Sequence, residues 1–107
     1  MLLNDYQQLA KLTSKYRDSP DTERRLVTAT LGLCGESGEA SEHVKKWYGH
    51  GKPLAEEKLF DELGDALWYI AEACSSKGWT LSSLADYNIA KLKARYPNGY
   101  SPVKADA

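Results

Sequence analysis

Apolar residues recur at helical spacing in four stretches, and breaker residues separate them. Tyr6, Leu9, Leu12 and Tyr16 predict a first helix from a capping Asn4 to about Arg17. The stretch DSPDTE then offers a capping residue, Pro20 near a first turn and acids suited to a helix N-terminus. A second helix follows from about Asp21 to Trp47, with Leu26, Ala29, Leu33, Ala40, Val44 and Trp47 as its stripe and GHGKP as its stop. Leu59, Leu63, Ala66, Leu67, Ile70 and Cys74 mark a third from about Leu54 to Ser76, ended by Gly78. Thr80 caps a fourth, which Pro97 halts. No useful length alternates with a period of two, and β-branched residues are sparse. The pattern predicts an all-α, four-helix bundle-like domain over residues 1–100, with NGYSPVKADA reading as a poorly ordered tail, residues 101–107 above all.

Two features interrupt this pattern. Gly32, Gly35 and Gly38 fall in the middle of the second helix, where each costs about 1 kcal/mol relative to Ala. Close helix packing, a kink, or space cleared for a ligand would each account for them, and Gly64 repeats the motif on the third helix. Beside these glycines stand two acid pairs with the same spacing, Glu36 with Glu39 and Glu62 with Asp65. Residues three apart share a helix face, so each pair repels. If the two helices pack side by side, four carboxylates converge, which is tolerable out of water only with cations among them. All-oxygen donors suit a hard divalent ion, Mg²⁺ above all, with Mn²⁺ as a substitute.

Other metal chemistries fit poorly. His43 and His50 are the only histidines, and neither completes a Glu-x-x-His step. Cys34 and Cys74 lack the neighbouring ligands of a zinc site and read as reduced core residues. His43 shares the face of Glu36 and Glu39 and reads as a partly exposed histidine without a task, with a supporting role toward the acids as the alternative. Charged residues are 27% of the chain and the formal net charge is -1, which gives no pull toward nucleic acid polymers or an anionic membrane. The N-terminus lacks the basic start and apolar run of a signal peptide, and no segment is long and apolar enough for a bilayer. The expectation is a cytoplasmic protein.

The phrases GLCGESGEASEHVKKW, DELGDALWYIA and NIAKLKARYPNGYS, spread over residues 25–101, resemble the MazG-like nucleoside triphosphate pyrophosphohydrolases of the all-α NTP pyrophosphatase superfamily. The family pattern is Glu-Glu-x-x-Glu, then Glu-x-x-Asp after a spacer. Here Gly35 replaces the first Glu, while Glu36, Glu39, Glu62 and Asp65 match the rest. The resemblance implies that these four hold Mg²⁺ and that an NTP or dNTP is cut between its α- and β-phosphates, giving a monophosphate and pyrophosphate. It makes Glu36 or Glu39 the candidate base toward water, without separating ligand from base. It assigns Asn88, Lys91 and Arg95 of the fourth helix to phosphate or sugar, with a solvated basic face as the plain alternative. Lys45 and Lys46 are further candidates.

A flat surface for the base is offered by Trp47 or Trp68, each of which also suits core or interface. The large aromatics of a small helical protomer call for burial between copies, and the resemblance implies a homodimer or a homotetramer built as a dimer of dimers. Removal of surplus or non-standard nucleotides is the role expected by analogy. The rival expectation is a non-catalytic helical module that keeps the fold and binds nucleotide or a partner helix, and Gly35 is the feature that favours it.

Overall fold

The computed structural model describes residues 1–102; part of the expected tail, residues 103–107, lies outside the described residues. Four helices follow in order: α1 (Leu3–Lys11), α2 (Thr22–Tyr48), α3 (Glu56–Ser76) and α4 (Leu81–Arg95). No strand occurs among the described residues, so the all-α reading holds. The long pair α2 and α3 is the body of the fold, α1 lies on α3, and α4 packs on α1. Arg25 near the start of α2 meets Glu72 near the end of α3, and His43 near the end of α2 meets Glu62, so the pair runs antiparallel.

Local chemistry explains most of the boundaries. Asp21 Oδ1 accepts the Arg24 amide at 3.0 Å and starts α2, and Thr80 Oγ1 does the same for the Ser83 amide at 3.1 Å in α4. Gly51 and Gly78 follow α2 and α3 with φ of 67° and 71°, a region that costs glycine least. The first helix is shorter than its apolar spacing suggests, ending at Lys11 rather than Arg17. Thr13 Oγ1 donates to the Ala10 carbonyl at 2.7 Å, and the Ser14 hydroxyl turns inward to Glu72, so the backbone leaves the helix there.

The buried face of α1 also differs from the Tyr6, Leu9, Leu12 stripe. Gln7 and Ala10 are buried and Tyr6 packs beside them, while Leu9 and Leu12 are exposed. Gln7 is tolerated inside because its amide is fully used. Nε2 donates to Ser75 Oγ at 3.1 Å and to the Trp79 carbonyl at 2.9 Å, and Oε1 accepts the Leu81 amide at 2.8 Å. Asn4 caps α4 rather than its own helix, accepting the Ser82 amide at 3.0 Å. Together Asn4 and Gln7 satisfy amides at the start of α4, which otherwise lack helical partners.

The glycines of α2 have separate reasons. The helix runs unbroken from Thr22 to Tyr48, so the glycines do not break it. At Gly32 a Cβ would sit 2.3 Å from the Tyr69 ring, so close packing holds there. Gly35, Gly38 and Gly64 have nothing within 4 Å of where a Cβ would be. Cys74 is in the core, but Cys34 is exposed on α2 and is not a core residue; the two are not joined. Much of the expected apolar stripe stays open within one chain: Val44, Trp47, Leu63 and Leu67 are exposed, as are Leu84, Tyr87, Ile89 and Leu92 of α4.

A candidate metal centre between α2 and α3

Gly32 lets the Tyr69 ring lie against α2, and one turn further along each helix come Glu36 and Asp65. Another step brings Glu39 toward Glu62. The outcome is a tight acidic trio, in which one carboxylate oxygen from each of Glu36, Glu39 and Glu62 lies within 4.8 Å of the others. Asp65 stands outside that trio. It shares with Glu36 a cleft of about 330 Å³ whose other walls are Thr13, Trp68 and Tyr69.

The electrostatics show what this convergence costs. Burial pushes the Glu36 carboxyl above its usual range, and the charges of Glu39, Asp65 and Glu62 push in the same direction. Glu36 is only partly covered as a residue, yet its Oε2 is shut off from solvent and has no hydrogen-bond partner. An orphaned carboxylate oxygen facing like charges is a poor arrangement for folding alone. It suits a hard divalent cation, for which clustered carboxylate oxygens are the preferred donors. Glu36, Glu39 and Glu62 therefore fit a metal, with Asp65 beside them.

A pH dependence follows from Glu36. Its folded-state pKa lies above that of the unfolded chain, so between the two values the native state binds more protons. Stability of chelator-stripped protein is therefore expected to rise as pH falls through the raised pKa, and Glu36→Gln to flatten that slope. Thermal melts across mildly acidic pH measure both. A slope unchanged by Glu36→Gln would assign the effect elsewhere.

A second cleft, also about 330 Å³, shares Thr13, Trp68 and Tyr69 and adds Ser14, Tyr16, Arg25, Thr28 and Glu72. Arg25 Nη2 donates to Glu72 Oε1 at 2.7 Å, with both side chains only 5% exposed, and Ser14 Oγ donates to Glu72 Oε2. Arg25 Nε is buried without a partner. Trp68 lines both clefts, its Nε1 donating to Thr13 Oγ1 at 2.8 Å and its ring meeting Tyr69 edge-on. Sequence reasoning missed the buried pair. The available signal was a charge of opposite sign on each of two facing apolar stripes. It also left His43 idle, whereas His43 Nε2 lies 2.6 Å from Glu62 Oε2, short of the alignment of a regular hydrogen bond.

The remaining candidates lie elsewhere in the chain. Trp47 is at the far end of α2, 44% exposed and tilted on Tyr48. Lys45 and Lys46 are exposed in the last turn of α2. Asn88, Lys91 and Arg95 are exposed on α4, which packs mainly on α1 and shares a core with Ala71 and Cys74 of α3 through Leu81 at its start. Arg95 stacks over Tyr96, 5.7 Å from its ring centroid. Within one chain, the fold does not bring these residues to the acids.

Comparison with known proteins adds two findings. Residues 25–100 match the MazG nucleotide pyrophosphohydrolase domain. The Gene 37 protein of Mycobacterium phage L5 is 31% identical over 105 residues, covering 92% of each chain. No solved structure matches. The match runs from the buried Arg25 through both acid pairs and past the end of α4, and on it the chain belongs to the MazG nucleotide pyrophosphohydrolase family.

Proposed function

We propose that this protein is a Mg²⁺-dependent nucleotide pyrophosphohydrolase that cuts an NTP or dNTP between the α- and β-phosphates. The observation that carries the reading is the trio of Glu36, Glu39 and Glu62 oxygens within 4.8 Å, together with the shielded, partnerless Glu36 Oε2. Glu36, Glu39, Glu62 and Asp65 would hold the metal. Bound there, Mg²⁺, or Mn²⁺ in its place, would screen the triphosphate charge and acidify a water.

The chain's own groups do the rest. Glu39, the most open of the trio, accepts the proton of the attacking water, with Glu36 as the other candidate. Thr13 and Tyr69 offer hydroxyls along the shared wall, and Trp68 gives the base a flat apolar face beside the Arg25–Glu72 cleft. Asn88, Lys91 and Arg95 receive phosphate or sugar from a neighbouring protomer, because α4 does not reach the acids of its own chain. The open apolar residues of α3 and α4 support a homodimer or a dimer of dimers, with Trp47 near such a contact. A role in clearing surplus or non-standard nucleotides fits this reaction. No helix of the described residues is long and apolar enough to cross a membrane.

Incubation with a panel of dNTPs and NTPs, scored for monophosphate and pyrophosphate, tests the reading. Turnover is expected with Mg²⁺ and none in excess chelator. Orthophosphate with a diphosphate product, or turnover in chelator, overturns it. Gly35 favours a second reading, a binding module without turnover. A Cβ at that helical position would have nothing within 4 Å, so crowding at the backbone is not what holds a glycine there. Nucleotide binding with no product from any substrate would establish that reading.

A further inference from the structure

We propose that Thr13 is a positioning residue that sets the Trp68 indole as the flat wall for the base of a bound nucleotide. The inference rests on the nucleotide reading above and adds a residue to it. The two clefts have Thr13, Trp68 and Tyr69 in common, so a ligand reaching from the Glu36 and Asp65 side toward Arg25 and Thr28 runs along these three residues. Trp68 offers the largest flat apolar face among them, and its Nε1 donates to Thr13 Oγ1 at 2.8 Å. Thr13 is itself tied to Ala10, whose carbonyl accepts the Thr13 hydroxyl at 2.7 Å and the Thr13 amide at 3.0 Å. An indole N–H can only donate, and the Thr13 proton is committed, so the hydroxyl oxygen meets Trp68 as an acceptor. The chain from Trp68 through Thr13 to Ala10 has one polarity.

Position matters because the outer torsion of an indole has broad preferences. Packing restrains it in part. Trp68 lies against the core of Ala10, Ala71, Cys74 and Leu81, and its ring meets Tyr69 edge-on at 5.1 Å between centroids. Such contacts are non-directional, whereas the bond to Thr13 fixes where the nitrogen edge points, and with it the plane of the face. A ring already held in place costs an incoming base less ordering entropy. The effect falls on binding, since Thr13 neither ligates the metal nor moves a proton in the proposed reaction.

Steady-state kinetics on the nucleotide that wild type turns over fastest, beside melting curves, test the proposal. Thr13→Val keeps the shape, removes the acceptor, and is expected to raise KM about three- to tenfold with kcat little changed. Thr13→Ser keeps the hydroxyl and is expected to hold KM near wild type. Trp68→Phe keeps a flat ring without the N–H and should also raise KM. With the bond already gone, adding Thr13→Val should raise it no further. Melts report the fold, which a merely structural Thr13 would make the main change. Wild-type KM in Thr13→Val, a loss in kcat alone, or losses that multiply in the double variant overturn the proposal. If Thr13→Val fails to fold, nitrogen-edited NMR of the indole groups decides, with the Trp68 signal identified by its absence in Trp68→Phe. That signal is expected to shift when the α,β-imido analogue of the same nucleotide is added to wild type, and an unmoved signal overturns the proposal. Should wild type bind nucleotide without turnover, dissociation constants take the place of KM. Wild-type protein that neither binds nor cuts any nucleotide defeats the nucleotide reading itself, and this inference with it.

Discussion

Glu39→Gln is expected to lower pyrophosphate release about a thousandfold while leaving a folded, helical protein. The substitution keeps the size of the side chain and removes its charge, so the trio loses a ligand and the attacking water loses its candidate base. Metal assistance is worth several kcal/mol of transition-state stabilisation, which corresponds to a loss of roughly that size. The second half of the expectation separates it from simple damage. Glu39 is exposed, and its charge raises the Glu36 carboxyl above its usual range, so removing that charge relieves repulsion in metal-free protein. Glu39→Gln should therefore melt no lower than wild type without metal, and should lose the increase in melting temperature that Mg²⁺ gives wild type. Steady-state assays beside paired melts check both parts. Retained turnover removes Glu39 from the mechanism, whereas inactivity caused by unfolding would appear at once in the melts.

Arg25→Met is expected to have the largest effect on stability, about 3–5 kcal/mol. Arg25 and Glu72 are each 5% exposed, so removing the guanidinium leaves a buried carboxylate with only the Ser14 hydroxyl. Chains of this size have about 5–15 kcal/mol in total, so the variant should unfold at much lower urea than wild type. Most of the loss comes from the charge left behind. The double substitution Arg25→Met with Glu72→Leu should therefore recover most of it, since replacing both members of a buried pair by apolar groups is often neutral. Urea unfolding followed by circular dichroism of the two singles and the double decides the matter. A single variant as stable as wild type would mean that water reaches Glu72 in solution.

The architecture was largely legible in the spacing of apolar residues, because helix period and breaker residues are local properties. All four helices appear, Thr80 makes the cap expected of it, and Asp21, where the second helix was expected to begin, caps that helix. The errors have a common cause. Asn4 serves α4, Gln7 replaces a leucine stripe inside, and Ser14 leaves α1 for Glu72, each because a distant group offered a better hydrogen bond. Spacing on one helix does not encode such partners. The acid pairs were visible because their repulsion is itself local, and the antiparallel packing of α2 on α3 then brings Glu36, Glu39 and Glu62 together. Asn88, Lys91 and Arg95 were assigned from resemblance, and the direction in which α4 leaves the body is a tertiary property that no helical stripe records.

The notch at Gly32 has a mechanical consequence. With the Tyr69 ring seated where a Cβ would collide, α2 and α3 have a detent that indexes one against the other along their length. Each residue added to or deleted from a helix turns everything beyond it by about 100°. A one-residue insertion between Gly32 and Glu36 would thus leave the detent engaged while rotating Glu36 and Glu39 away from Glu62. The four-residue interval from notch to acid acts as a ruler, and tolerance to length changes should end abruptly within it.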